Sequence, residues 1–553
     1  MTNPDGPVTG RPATIATQAM VATSHHLATQ AGVRTLQRGG SAVDGAIAAN
    51  AVLCVAYPHM AGLGGDGFWL IARRGESWIE GLNASGPAAE MATPDFYRSE
   101  GLHDEIPSRG ALSALSVPGA VDGWAVAHER YGRLDWSELF DDARRYAEHG
   151  IPVARSLEQW TAQDVDVLSA HGPTAEIFLP DGRAPRVGDR LLQTDLARSF
   201  EQIATKGARQ GFYEGDVGRR LCEELGSLGS PLRAEDLAAY RAEWVDPISV
   251  EYRGHRVYEM PPNTQGFAAL QILSMLDGFD VAGWGDGTAE YLHHMAELVK
   301  LSFADRNEWL TDHDFVDIPL DQLLDLDYLK GRAALVDPDT AMVMEDVEPG
   351  IRFEGDAHRR SPSGDTCAFS VVDADGLVVS AIQSIYHDFG SAIAAGGTGI
   401  IAQNRGSFFS LDDAHPNRLV PGKRTFHTLI PAMLFSDGEP SVAFGTMGGE
   451  GQPQTHAALV TRLVDFGYDV QQAIEAPRWL MGRTWGTQSQ DMSLEGRVPD
   501  GVVRELERRG QPVKPLTDWN DNMGHAQAIR IDRRNGMLEG GADPRGDGAA
   551  AGY

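Results

Sequence analysis

The junction Asp365-Thr366 constrains this chain more than any other feature, because a polar, charged stretch changes there into an apolar strand pattern. Ser361-Pro362-Ser363-Gly364 supplies turn residues, Cys367 to Val372 an apolar run, and Asp375-Gly376 a hairpin into a second apolar run over 377–382. Residues 337–363 are rich in Asp, Glu, Arg, Gly and Pro and read as an exposed loop. A threonine that opens a strand after such a loop suits a chain that cuts itself. Its hydroxyl can attack the preceding carbonyl, and the freed residue then carries a nucleophile and an α-amine base together. A β-branched residue also suits the start of a strand for its own sake, so the surroundings decide.

The surroundings are a series of motifs in a fixed order. Gln37-Arg38-Gly39-Gly40-Ser41-Ala42-Val43-Asp44-Gly45-Ala46 is followed by Gly62-Leu63-Gly64-Gly65-Asp66-Gly67-Phe68, then by Val117-Pro118-Gly119-Ala120-Val121-Asp122-Gly123-Trp124. Lys300-Leu301-Ser302-Phe303-Ala304-Asp305-Arg306 comes next, then the Thr366 strand, Gly445-Thr446-Met447-Gly448-Gly449, and a C-terminus running from Ala542-Asp543-Pro544-Arg545 to Tyr553. From near residue 20 to its last residue the chain resembles the γ-glutamyltranspeptidase family of N-terminal-nucleophile hydrolases. That resemblance implies an α+β fold, a four-layer αββα sandwich built from both autoproteolytic fragments. The fragments would be 1–365, with a helical middle, and 366–553, opening on the nucleophile strand; together they form one intertwined catalytic domain and an αβ heterodimer.

The resemblance also assigns roles. Thr366 is the expected nucleophile and Asp365-Thr366 the cleavage site. Gly448 and Gly449 match the glycine pair whose N–H groups stabilise the oxyanion, a role glycine suits because it allows close approach and unusual φ. Ser384 aligns with a second hydroxyl beside the nucleophile, able to orient its α-amine. Cys367 should face the opposite side of the strand and serve packing.

Substrate residues depart from the γ-glutamyl pattern. Asn83 stands where the family's carboxylate-binding arginine is expected, Phe408 where its amine-binding acid is expected, and His427-Thr428 where its serine pair is expected. An α-amino acid head group would lose both charged partners, at a cost of a few kcal/mol. Asn404-Arg405-Gly406, together with Phe426-His427-Thr428, is similar to the oxamate amidohydrolase branch. Arg405 would then clamp a substrate carboxylate, with Tyr386, Asn83, Phe408, His427 and Thr428 completing the substrate site. The expected activity is hydrolysis of a small, oxamate-like amide through a threonyl acyl-enzyme. γ-Glutamyl transfer or glutathione hydrolysis, a cephalosporin-type acylase, and an uncleaved paralogue acting as a binding protein are the competing readings.

Charge narrows the partners. The formal net charge is −31, which disfavours nucleic acid and anionic membranes. Three cysteines cannot build a disulfide framework. The first ten residues lack a basic start and an apolar run, and no stretch has the length of a membrane helix, so a cytoplasmic protein is expected. Neither a metal nor an organic cofactor is called for: His25-His26 and His293-His294 lack metal-ligand spacing, and the 62–65 glycines lack a Walker lysine or dinucleotide spacing. A higher oligomer remains open.

Local patterns set the remaining expectations. Ser41 and Asp44 form a capping box for a helix over 42–56 ending at Pro58, and 62–65 is a loop of close backbone approach before a strand at 68–71. Residues 120–335 read as mostly helical, with apolar residues at helical spacing over 287–308. Beyond Thr366, strands and turns alternate to Gly451, followed by helices over 453–466, stopped at Gly467, and Val470–Glu475.

Overall fold

Alternating apolar runs that need two buried faces produce two stacked sheets. The computed structural model describes residues 6–353, 365–482 and 489–553, with Asp365 described by its backbone alone. The first sheet has seven strands in the order Ala549–Gly552, Met20–Thr23, Asp365–Val372, Leu377–Tyr386, Asp66–Arg73, Ile79–Ala84 and Glu243–Val245. The second also has seven: Thr14–Ala16, Leu538–Ala542, Ala526–Ile531, Glu439–Thr446, Ala432–Ser436, His255–Glu259 and Ile248–Tyr252. Every pairing within both sheets is antiparallel.

Strand alternation sorts side chains between layers. Ala368, Val372, Phe68, Leu70 and Ile382 meet Met433, Phe435, Ala443 and Ile529 between the sheets. Cys367, Phe369 and Val371 point the other way, into the helical layer containing Ala42–Ala56. On the outer face of the second sheet, Gly266–Leu276, Ala289–Trp309 and Gln452–Val464 pack over Val257, Leu434 and Phe444. The result is the expected αββα sandwich. The strand Asp365–Val372 is central in the first sheet, between a strand that precedes it by more than 300 residues and its own hairpin partner.

Several local expectations hold. Ser41 caps Ala42–Ala56 reciprocally with Asp44, and every residue of that helix is buried, as an apolar helix without a polar face requires. A Cβ on Gly64 would strike the Ile401 carbonyl and one on Gly65 the Ser384 carbonyl, so this loop threads against the site strand as bare backbone. The helices Ala289–Trp309, Gln452–Val464 and Val470–Glu475 lie where periodicity puts them. All three cysteines are buried and free.

The middle region is less uniformly helical than its pattern suggests. Glu243–Val245, Ile248–Tyr252 and His255–Glu259 are strands, the latter two joined by Arg253 and Gly254 at φ 51° and 79°. That tight turn of positive φ carries a hairpin signal which the helical pattern around it obscures. The helix Asp500–Arg508 has only Leu506 fully buried and was not anticipated. Residues 337–353 are largely exposed but tied down: Lys300 donates to the Met342 carbonyl at 2.8 Å and Trp309 to that of Ile351 at 2.8 Å. The rest of the expected loop, 354–363, lies outside the described residues. Among the described residues no helix is long and apolar enough to cross a membrane, and no group of three or more His, Cys, Asp and Glu is arranged to hold a metal ion.

Candidate active site

Thr366 is fully buried at the start of its strand, where the register slips. Asp365 pairs with Tyr386 and Cys367 with Gln383, so two partner residues, Ser384 and Ile385, stand opposite the single Thr366. Such a bulge re-aims side chains and ends regular pairing, as it commonly does beside active sites. Tyr386 absorbs the distortion with φ 81°, a left-handed conformation costing a non-glycine residue about 1–3 kcal/mol.

The second sheet delivers the glycine pair to the same end. The Ser370 hydroxyl donates to the Ala443 carbonyl at 3.2 Å, and Gly445 lies directly against Ala368. Moving from Ser370 to Ala368 while the other strand moves from Ala443 to Gly445 brings the segment beyond Thr446 toward Thr366. That segment is Met447-Gly448-Gly449. Its glycines have φ 132° and 50°, so side chains there would strain the turn. Neither N–H of Gly448 or Gly449 donates to an acceptor among the described residues.

Beside Ser384 sits a pocket of side chains from four distant segments. Arg405 is 1% exposed; it donates to the Ser384 hydroxyl at 3.2 Å and to that of Thr428 at 3.2 Å. Its guanidinium lies over the rings of Tyr386 (4.5 Å) and Phe408 (5.4 Å), and Phe408 in turn stacks near Phe426. Among the described residues no carboxylate lies within ion-pair distance of Arg405, and its Nε has no hydrogen-bond partner. Burial lowers the Arg405 pKa to about 10, with Tyr386 and Asp66 opposing the shift, so it stays charged at neutral pH. A buried, paired-to-hydroxyl guanidinium of this kind is suited to an anion.

His427 stands between Arg405 and Asp66. Its Nε2 is 3.2 Å from an Asp66 oxygen, while burial and then the Arg405 charge push its pKa down to about 4 despite Asp66. At neutral pH it is an uncharged imidazole. Asp66 also accepts from the N–H groups of Gly86 (3.1 Å) and Gly119 (3.0 Å), and it pairs in register with Ser384.

The site residues named from the sequence therefore separate into groups. Ser384, Tyr386, Arg405, Phe408, His427 and Thr428 converge at the Thr366 end of the sandwich. Asn83 is engaged internally: its carbonyl accepts from the Ser85 N–H (3.0 Å) and hydroxyl (2.6 Å), and its amide donates to Asn263 at 3.1 Å. Sequence reasoning missed Asp66, although it lies inside the glycine-rich block 62–68, because its partner across the sheet is fixed by a register no local pattern records. Asn263, Gln265 and the buried Arg306–Glu450 pair (2.9 Å) were missed as well.

Comparisons with known proteins identify the family. The family profile described as Gamma-glutamyltranspeptidase matches residues 28–553. The chain is 45% identical to the glutathione hydrolase-like YwrD proenzyme of Bacillus subtilis, over 97% of this chain and 99% of that protein. It is 41% identical to the oxamate amidohydrolase proenzyme of Klebsiella pneumoniae, over 98% of this chain and 99% of that one. Cephalosporin acylase from Bacillus halodurans has a similar structure, with a TM-score of 0.90 and 36% identity over 100% of this chain and 99% of that one.

Proposed function

The chain belongs to the gamma-glutamyltranspeptidase family, and on that premise we propose that it is a self-cleaving N-terminal-nucleophile amidohydrolase acting on small, carboxylate-bearing amides such as oxamate. In the precursor, the Thr366 hydroxyl attacks the Asp365 carbonyl, the peptide nitrogen leaves as the Thr366 α-amine, and water opens the resulting ester. Residues 1–365 and 366–553 then remain together as one αβ unit, since each sheet is built from strands of both.

In turnover the α-amine, with a reference pKa of about 7.7–8.0, takes the proton of its own hydroxyl. Oγ1 attacks the substrate carbonyl, and the Gly448 and Gly449 N–H groups receive the developing oxyanion. The α-ammonium returns the proton to the leaving nitrogen, and water hydrolyses the acyl-threonine. Ser384 orients the amine and receives Arg405, which links the nucleophile to the substrate's anion.

The single observation carrying the substrate class is Arg405: a buried cation, with no carboxylate in ion-pair distance among the described residues, bonded to the hydroxyl that stands opposite Thr366. Phe408 and Asn83 are uncharged residues at the positions where a glutamyl head group would find its charged partners in the family. The name of the B. subtilis relative favours glutathione as the second reading, and the acylase likeness favours a larger acyl group. Steady-state turnover of oxamate, glutathione, γ-glutamyl-p-nitroanilide and a glutaryl amide separates the three. We expect the largest kcat/KM for oxamate; faster turnover of the γ-glutamyl anilide than of every small amide would refute the substrate class.

A further inference from the structure

We propose that Gln265 is a positioning residue that locks the oxyanion turn to the substrate loop. This rests on the reading of Gly448-Gly449 as the oxyanion donors. Its carboxamide uses both donors and an acceptor. Nε2 donates to the Gly449 carbonyl at 2.9 Å and to the Thr428 carbonyl at 2.9 Å, while Oε1 accepts from Arg306 at 3.0 Å. Arg306 in turn holds Glu450, the residue after the glycine pair, through its carboxylate at 2.9 Å and its carbonyl at 3.4 Å.

One side chain thus touches the glycine turn and the segment whose Thr428 hydroxyl receives Arg405. It is 0% exposed, so water cannot replace its bonds without a cavity opening. Hydrogen bonds around it join the segments before and after the proposed cleavage point: His427 N–H donates to the Asn263 carbonyl at 2.7 Å, Gln265 N–H to the His427 carbonyl at 3.0 Å, and the Asn263 side-chain Nδ2 to the Thr425 carbonyl at 2.8 Å. Residues before Thr366 therefore hold in place the loops, all after Thr366, that stabilise the transition state and grip the anion. Oxyanion donors act through fixed position, so a turn free to shift loses stabilisation in the transition state first.

Gln265→Met keeps the volume and removes the three side-chain bonds. In self-cleaved protein, with active sites counted by the acyl burst on whichever of oxamate and γ-glutamyl-p-nitroanilide the wild type turns over faster, kcat should fall about 10- to 100-fold while KM changes less than about threefold. A role in general stability would lower the number of active sites and leave kcat per site intact. Wild-type kcat per site in Gln265→Met overturns the clamp and leaves the proposed function standing. A wild type that neither cleaves nor hydrolyses either amide overturns both. Should Gln265→Met not fold, Gln265→Asn, whose shorter amide cannot reach both carbonyls, is judged by the same kcat.

Discussion

The Gly448-Gly449 turn and the Arg405 pocket lie at the same end of the sandwich but are built from different materials. The turn is backbone, set by two positive φ angles and clamped by Gln265 and Arg306. The pocket is side chains: Arg405, His427, Asp66, Ser384 and an aromatic wall of Tyr386, Phe408 and Phe426. In the proposed mechanism the glycine turn offers the same N–H groups to any carbonyl, whereas the pocket would recognise what hangs on that carbonyl. The contrast teaches how one reaction could serve several substrates: changes to the pocket's side chains need not disturb a turn made of backbone.

Gly448→Ala attacks the turn. At φ 132° a methyl group forces the backbone out of its donor geometry, and kcat should fall about 10²- to 10³-fold, the scale of losing one oxyanion donor, for every amide alike. A loss confined to anionic substrates would erase the distinction between the two regions.

Arg405→Met attacks the pocket. It should lower kcat/KM about 10²-fold for an anionic amide and much less for a neutral one, with self-cleavage preserved. Parallel losses on both substrates would mean that Arg405 supports the nucleophile rather than the anion.

The smallest expected effect is on stability in acid. Burial holds His25 and His59 down to about 3 and His427 to about 4, whereas unfolded histidine titrates near ~6.5. Between those values the unfolded chain binds protons that the folded chain does not, so stability falls as pH drops from about 6.5 toward 4. Tm should decline from pH 7 to pH 5, and His427→Gln should flatten part of that decline. A Tm slope unchanged by His427→Gln would remove the pocket from this acid sensitivity.

Most of the pocket's side chains could be named from the sequence, but the contacts that join them could not. The Ser41–Asp44 cap and the hairpin at Asp375-Gly376 are local patterns, each dictated by φ or by a hydrogen bond spanning a few residues, whereas Gly448-Gly449 is picked out by its match to the family's glycine pair. At Thr366 a loop, a strand and a hydroxyl coincide in one stretch, but its expected role as nucleophile comes from the ordered motifs around it and the family they resemble. Arg405, His427 and Phe408 were found by their places in motifs, but Asp66 was not, since it reaches Ser384 only through sheet register across more than 300 residues. Gln265 carries no motif; its role comes from two carbonyls brought to it by tertiary packing. The strands of the 248–259 hairpin were hidden because a short turn within a helical region resembles an ordinary loop.

The central claim is that Thr366 becomes an N-terminal nucleophile by cutting its own chain. Intact mass of the purified wild type under denaturing conditions tests it most directly. The account predicts two species that together equal the 59.7 kDa chain plus one water, the smaller beginning at Thr366, and a single uncut species for Thr366→Ala. A wild type that stays whole at 59.7 kDa while hydrolysing amides would contradict it.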